Sequence, residues 1–238
     1  MSVLALLAAA ALAQSGAAAG PAVQPPSLTC GAAPMPGLAE FGSDGVWRGY
    51  LVSLCRRIAS ATGRDPARIA FRGYGDDAAL AHARGDDVAF LSPAELASRA
   101  VSGGLLDGPV VSHDRQLLIA RAGAKVQPPS ALAGQLICFI AGTRAEDALT
   151  RWAAKTHVRI EYLPFQEPVE MADAFAVGKC AAEAVDIADI ASPRDVRVLA
   201  TLESLPILVA TPAARGAEWR DAVVGALALQ PGAVTATP

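Results

Sequence analysis

Asp186, Arg99 and the pair Gly142-Thr143 are the residues whose types and positions could do charge chemistry. Asp186 closes the apolar run that starts at Cys180, and a carboxylate there can accept an ammonium. Gly142-Thr143 opens a helical pattern, so its backbone N–H groups, its hydroxyl and the positive end of the helix dipole could hold a carboxylate. Arg99 follows Ser92-Pro93 in what reads as one helix, and a guanidinium there can grip a carboxylate in a two-pronged fork. Each also has a plainer reading, as a solvent-facing loop Asp, an ordinary helix cap and a surface Arg.

Candidates for catalysis are weaker. The histidines, His82, His113 and His157, are dispersed, and His113-Asp114 does not by itself align an acid–base pair with any Ser nucleophile. The chain has no G-x-S-x-G, phosphate loop or H-E-x-x-H, so no cofactor and no enzyme activity is expected. With 20 Lys and Arg against 23 Asp and Glu, and the basic residues scattered, it lacks the positive surplus that nucleic acid binding requires.

The four cysteines form an even set that spacing alone leaves with three pairings. Cys30 and Cys55 lie in the first third and Cys138 and Cys180 beyond the middle, so local pairing would close two separate loops. No C-x-x-C occurs and no His stands within a turn of a Cys, which argues against a metal site.

Residues 1–19 read as a signal peptide, with an apolar stretch from Val3 to Leu12 and an Ala-Leu-Ala cleavage pattern. Residues 20–27, with three prolines, read as a linker. From Leu28 the chain alternates strand and helix patterns, the signature of an α/β fold with parallel strands. Strands are expected at Leu28–Cys30, Ile69–Phe71, Val88–Leu91, Leu136–Ile140, Ile160–Leu163 and Cys180–Val185. Helices are expected at Gly49–Thr62, Asp76–Ala83, Pro93–Val101, Arg144–Thr156, Glu167–Val177 and Glu218–Leu229. Pro109–Val111 and Leu117–Ala120 read as two strands around a polar turn, Ser112–Arg115, and Val196–Ala200 and Pro206–Ala210 as two more.

The run Cys30-Gly31, Pro36-Gly37, Gly45-x-Trp47-x-Gly49-Tyr50-x-Val52-x-Leu54-Cys55-Arg56 resembles the first lobe of the general L-amino-acid-binding proteins, family 3 solute-binding proteins that serve ABC importers. Ile137-Cys138-x-x-x-Gly142-Thr143-x-x-Glu146, then Gly178-Lys179-Cys180 with Asp186 beyond, is similar to the second lobe. The resemblance implies a type II periplasmic-binding fold: two α/β lobes, 28–114 plus 206–238 and 115–205, joined by a two-strand hinge. It implies disulfides Cys30–Cys55 and Cys138–Cys180, Arg99 and Gly142-Thr143 on the ligand carboxylate, Asp186 on its amino group, and Leu38 and Ser92 lining the cleft. The implied function is capture of a small, amino-acid-like solute by a periplasmic monomer that delivers it to a membrane permease.

The sequence departs from the family pattern at the ligand. Leu51 and Ser53 stand where acidic residues are usual, Leu38 where an aromatic would cover the ligand, Arg144 where a second Thr is usual, and 91–97 lacks a Thr-rich run. These departures raise a rival role, an accessory protein with a degenerate cleft, for example one assisting a quinoprotein dehydrogenase. Some proteins of this fold are dehydratases that use cleft carboxylates, a reading that would fall to Glu40, Glu183 and Asp186.

Overall fold

The computed structural model describes residues 27–125, 129–190 and 194–228. The signal peptide, most of the linker, the start of the 127–130 turn and the tail from 229 lie outside them. Among the described residues ten strands and six α-helices follow one another: β1 (Thr29–Ala32), β2 (Glu40–Phe41), β3 (Trp47–Arg48), α1 (Tyr50–Ala61), β4 (Ala70–Gly73), α2 (Asp77–Leu80), β5 (Val88–Leu91), α3 (Pro93–Leu96), β6 (Leu105–Arg121), β7 (Leu136–Ile140), α4 (Arg144–Thr156), β8 (Glu161–Phe165), α5 (Pro168–Ala176), β9 (Ala182–Asp186), β10 (Val196–Pro212) and α6 (Gly216–Ala228). None of the described helices is long and apolar enough to cross a membrane.

Eight strands share one sheet in the order β4-β1-β5-β10-β6-β9-β7-β8, and β2 and β3 form a separate hairpin. At one end β4, β1 and β5 run parallel, and at the other β8, β7 and β9 do. The 17-residue strands β6 and β10 pair antiparallel along their whole lengths and join the two ends, β10 against β5 and β6 against β9. The result is two α/β lobes connected by two long strands.

The long strands correct the sequence reading. Ser112–Arg115 is the middle of β6, not a turn, and Thr201–Leu205 continues β10. Halfway between two lobes a strand has no continuous core on either side, so its polar residues imitate a turn. Register shifts in β10, for example between Thr201 and Glu203, interrupt the ladder where the strands pass from lobe to lobe.

Each lobe has its own core. Leu28, Leu51, Leu54, Ile58, Phe90 and Val223 centre the first, in one cluster with the Cys30–Cys55 bridge. Met171, Phe175 and Val185 pack beside Cys138–Cys180 on one face of the second lobe's sheet, and Leu118, Ile137 and Leu149 pack on the other. The bridged Cα atoms lie 6.3 and 5.8 Å apart, and each disulfide stays within a lobe. Closing loops of 25 and 42 residues restricts the unfolded chain by about 3–4 kcal/mol per bridge.

Candidate functional site

In sheets of this kind ligands settle beyond the carboxyl ends of the parallel strands. Leu38 lies in the loop after β1, Ser92 follows β5, Gly142-Thr143 follows β7 and Asp186 ends β9, so the chain order brings all of them to the side where the lobes face each other.

The best-defined cluster surrounds Asp186. Its Oδ2 accepts from Gln116 Nε2 at 2.6 Å and its Oδ1 from Ala188 N at 2.9 Å. The same Gln116 amide lies 3.4 Å from Asp114 Oδ1, so one amide links two carboxylates. Asp114, Gln116 and Asp186 are all buried. Burial pushes the Asp186 carboxyl up to about 6; the Ala188 and Gln116 donors oppose that rise and the neighbouring Asp114 adds to it.

Arg144, the first residue of α4, answers this negative charge. Nη1 pairs with Asp114 on β6, and Nη2 meets Glu203 Oε2 on β10 at 2.8 Å. Arg151, two turns along α4, holds the other Glu203 oxygen at 2.7 Å. Burial alone would raise the Glu203 carboxyl, but Arg144 and Arg151 hold it below the ordinary value. One helix of the second lobe is thereby tied to both long strands.

Gly142, Thr143 and Ser92 have partners of their own. Gly142, at φ 75°, donates its N–H to Glu146 Oε2 at 2.7 Å, and the Thr143 hydroxyl donates to the Ile140 carbonyl at 2.7 Å. The cradle read as a ligand carboxylate site therefore holds a carboxylate of this chain. The Ser92 hydroxyl donates to Glu95 Oε2 at 2.7 Å and accepts from Glu95 N, a reciprocal cap that starts α3. Leu38 is half-buried against the first lobe's core. The helix read as Pro93–Val101 stops at Leu96, which leaves Arg99 exposed in the following turn rather than late in a helix.

Gln116, Asp114 and Glu203 were not singled out from the sequence. The available signal was the alternation Ser112, Asp114, Gln116, which sets polar groups on one face of a strand. The same alternation puts His113 on the opposite face from Asp114. Glu183, also buried, lies on β9 three residues before Asp186; burial and the nearby Asp189 push its carboxyl up to about 7.

The lobes meet at a seam. A β-carbon built on Gly37, in the loop after β1, would lie 2.7 Å from the Ala188 Cβ in the turn after β9. Glu40 accepts from Gly37 N on the first-lobe side, and the Asp189 carboxyl on the other side is raised by burial and by Glu40.

No family model matches the chain. Over 146 residues, 60% of this chain and 43% of the relative, it is 25% identical to the general L-amino acid-binding periplasmic protein AapJ of Rhizobium johnstonii. Over 188 residues, 78% of this chain and 54% of the relative, it is 27% identical to the glutamate/glutamine/aspartate/asparagine-binding protein BztA of Rhodobacter capsulatus. The matches span about half the length of these curated relatives. The second substrate binding domain of a putative amino acid ABC transporter from Streptococcus pneumoniae superposes with a TM-score of 0.61 over 85% of this chain and 92% of that one, at 17% identity. The chain has a type II periplasmic-binding fold, and its sequence is similar, at low identity, to periplasmic amino-acid-binding proteins.

Proposed function

We propose that this protein captures a small polar, amino-acid-like solute between its lobes in the periplasm and, as a monomer, presents it to the permease of an ABC importer. One lobe comprises 28–114 and 206–238, the other 115–205. The observation that carries the reading is the buried Asp114–Gln116–Asp186 cluster at the junction of the long strands and the second lobe, with the Arg144 guanidinium beside it. Buried polar groups aimed at a cleft form a seat for a solute that brings charges of its own. Closure follows when each lobe supplies part of that solute's partners, because the shut form then gains contacts that the open form lacks. Asp186 would take the ammonium and the start of α4 the carboxylate, with Arg99 and Ser92 contributing from the first lobe and Leu38 covering the cleft. The names of the sequence relatives support the amino-acid class and the periplasmic setting.

Calorimetry of the full chain against the common amino acids tests this. Saturable binding to at least one is expected, with a stabilisation of about 2.7 kcal/mol at a hundredfold excess over Kd. No binding to any of them would remove the transport reading.

A second reading has its own support: Gly142 N–H already holds Glu146, and Arg144 is already neutralised by Asp114 and Glu203. A cleft satisfied from within suits an accessory protein, such as one assisting a quinoprotein dehydrogenase. Permease and ATPase genes beside this one would favour transport; a dehydrogenase operon would favour the accessory role.

A further inference from the structure

The bonds around Asp186 do not end at its neighbours. Ala188 N donates to Asp186 Oδ1 at 2.9 Å and Gln116 Nε2 to Asp186 Oδ2 at 2.6 Å. The same Gln116 nitrogen lies 3.4 Å from Asp114 Oδ1, and the other Asp114 oxygen takes Arg144 Nη1. Arg144 Nη2 then meets Glu203, whose second oxygen takes Arg151. Donors and acceptors thus alternate from the turn after β9, through β9 and β6, to α4 and β10. One end of this relay is Ala188, the residue that Gly37 of the first lobe approaches.

Gln116 is the middle of the relay. It stands on β6 opposite Asp186 of β9 on one side and opposite Glu203 of β10 on the other, next to the register shift between Thr201 and Glu203. It is 2% exposed, so water is not at hand to replace its bonds. A carboxamide nitrogen carries two N–H groups and no charge, so it can serve two acids without neutralising either. An apolar residue there would leave the two carboxylates facing each other across a buried gap.

We infer that Gln116 is a positioning residue for solute capture: it fixes the direction in which Asp186 offers its carboxylate and ties that direction, through Asp114, to Arg144 and the two long strands. The inference rests on the cleft being a solute site in which Asp186 meets an amino group. A bend of β6 at Gln116 then turns Asp186, so movement between the lobes and the grip on the solute are coupled.

The relay also acts on the protonation of Asp186. Burial pushes that carboxyl up to about 6, the Ala188 and Gln116 donors pull it down, and Asp114 pushes it further up. The other charged groups on the elements around it are Arg144 and Arg151 of α4, Glu203 of β10 and Asp189 of its own turn. His113 and Arg115 of β6 and Glu183 of β9 alternate to the opposite face of the sheet. Two substitutions in the relay therefore move Asp186 in opposite directions, which a loosened strand would not do.

Carbon-13 titration of the Asp186 carboxyl in the solute-free full chain tests this, the signal being assigned by its loss in Asp186→Asn. Gln116→Leu should raise the midpoint by roughly one pH unit and Asp114→Asn should lower it by a similar amount. Arg144→Gln, which leaves the Asp114 charge unanswered, should raise it, and Arg144→Lys should not. The Arg144 side chain is half-exposed, so this pair keeps the test open if Gln116→Leu does not fold. Calorimetry with the common amino acids at about pH 6 and about pH 8 reads the grip: Gln116→Leu should lose about fivefold more affinity at the lower value than at the higher, the ratio that a one-unit rise from about 6 produces. Asp186 unmoved by Gln116→Leu or by Arg144→Gln, or moved the same way by Gln116→Leu and Asp114→Asn, would overturn the relay and leave the cleft reading intact. Affinity that ignores a shifted midpoint would overturn the positioning role. No amino acid bound by the wild type would end the cleft reading and the positioning role together.

Discussion

Gly37 and Ala188 touch across the cleft, the first from the loop after β1 and the second from the turn that carries Asp186. A β-carbon on Gly37 would sit 2.7 Å from that of Ala188, well inside contact distance. The backbone of Gly37 is at φ 65°, where any other residue is strained. Two separate demands therefore fall on one position: the local turn needs a left-handed residue, and the approach of the lobes needs one without a side chain.

Gly37→Ala should weaken solute binding by disfavouring the shut form. The strain of the left-handed conformation is on the order of 1–2 kcal/mol and acts in open and shut forms alike, whereas the clash acts only when the lobes meet. Affinity is expected to fall about tenfold for each 1.4 kcal/mol of clash, and small-angle scattering with saturating solute should show a larger radius of gyration than the wild type. Unchanged affinity in a folded variant would mean that the lobes need not meet here.

The parts of this arrangement that the sequence made legible are those with an interior on one side. Strands β5 and β7 and helix α4 begin and end where the patterns of apolar residues begin and end. Helix α3 starts where Ser92 and Glu95 form their reciprocal cap, but it stops early, and there Ser98 Oγ accepts from Ala100 N in place of a helical carbonyl. The long strands were not legible as single elements, because their central residues serve a cleft rather than a core. The same holds for the site. Asp186 announced itself as an acid at the end of an apolar strand, but its bond to Gln116 depends on the register that sets Gln116 opposite Asp186, a relation between residues 70 apart.

Acidity of the buried carboxylates fixes a direction for stability against pH. The Glu183 carboxyl is raised to about 7 and that of Asp186 to about 6, above the values they take in the unfolded chain. Between those unfolded and folded values the native state binds more protons than the unfolded one, so these groups make stability fall as pH rises. Asp44, held low by Arg48, acts in the opposite sense but only in more acidic solution. Melting temperature is thus expected to be higher near about pH 5 than near about pH 8. Glu183→Gln should flatten the upper part of the curve and raise Tm at the alkaline end by about 2–4 °C for each kcal/mol recovered. A melting temperature that climbs steadily over this range would contradict the assignment.

Asp87 fastens helix α6 to the first lobe. Its carboxylate accepts from Thr29 N at 2.8 Å and Arg64 Nη1 at 2.9 Å and also pairs with Arg215, while its carbonyl accepts from Trp219 Nε1 at 2.8 Å. The Arg64 and Arg215 guanidiniums lie 4.8 and 5.2 Å from the Trp219 ring centroid. Asp87→Ala would strand a nearly buried Arg64 and the β1 amide together. The expected loss is about 3–5 kcal/mol by urea unfolding, with earlier proteolytic cleavage near α6. A loss below about 1 kcal/mol would show that the ring contacts alone hold the helix.

Arg144 ties α4 to both long strands, whereas Arg151 reaches β10, and removing Arg144 separates structural from electrostatic roles. In Arg144→Ala the buried Asp114 keeps only the long approach of the Gln116 amide at 3.4 Å, and Glu203 keeps Arg151. Breaking a fully buried pair costs about 3–5 kcal/mol, but the Arg144 side chain is 44% exposed, so roughly 1–2 kcal/mol is the appropriate expectation. The loss should grow with pH. Near about pH 5 Asp186 is largely protonated, whereas near about pH 8 its own negative charge stands beside Asp114 with one Gln116 amide between them. Urea unfolding at both values, with Arg144→Lys beside Arg144→Ala, reads this out. Lys restores the charge but not the two-pronged reach, so it should remove most of the pH dependence and only part of the loss. If Arg144→Ala were equally stable to the wild type at both values, the ties to Asp114 and Glu203 would carry no weight in solution.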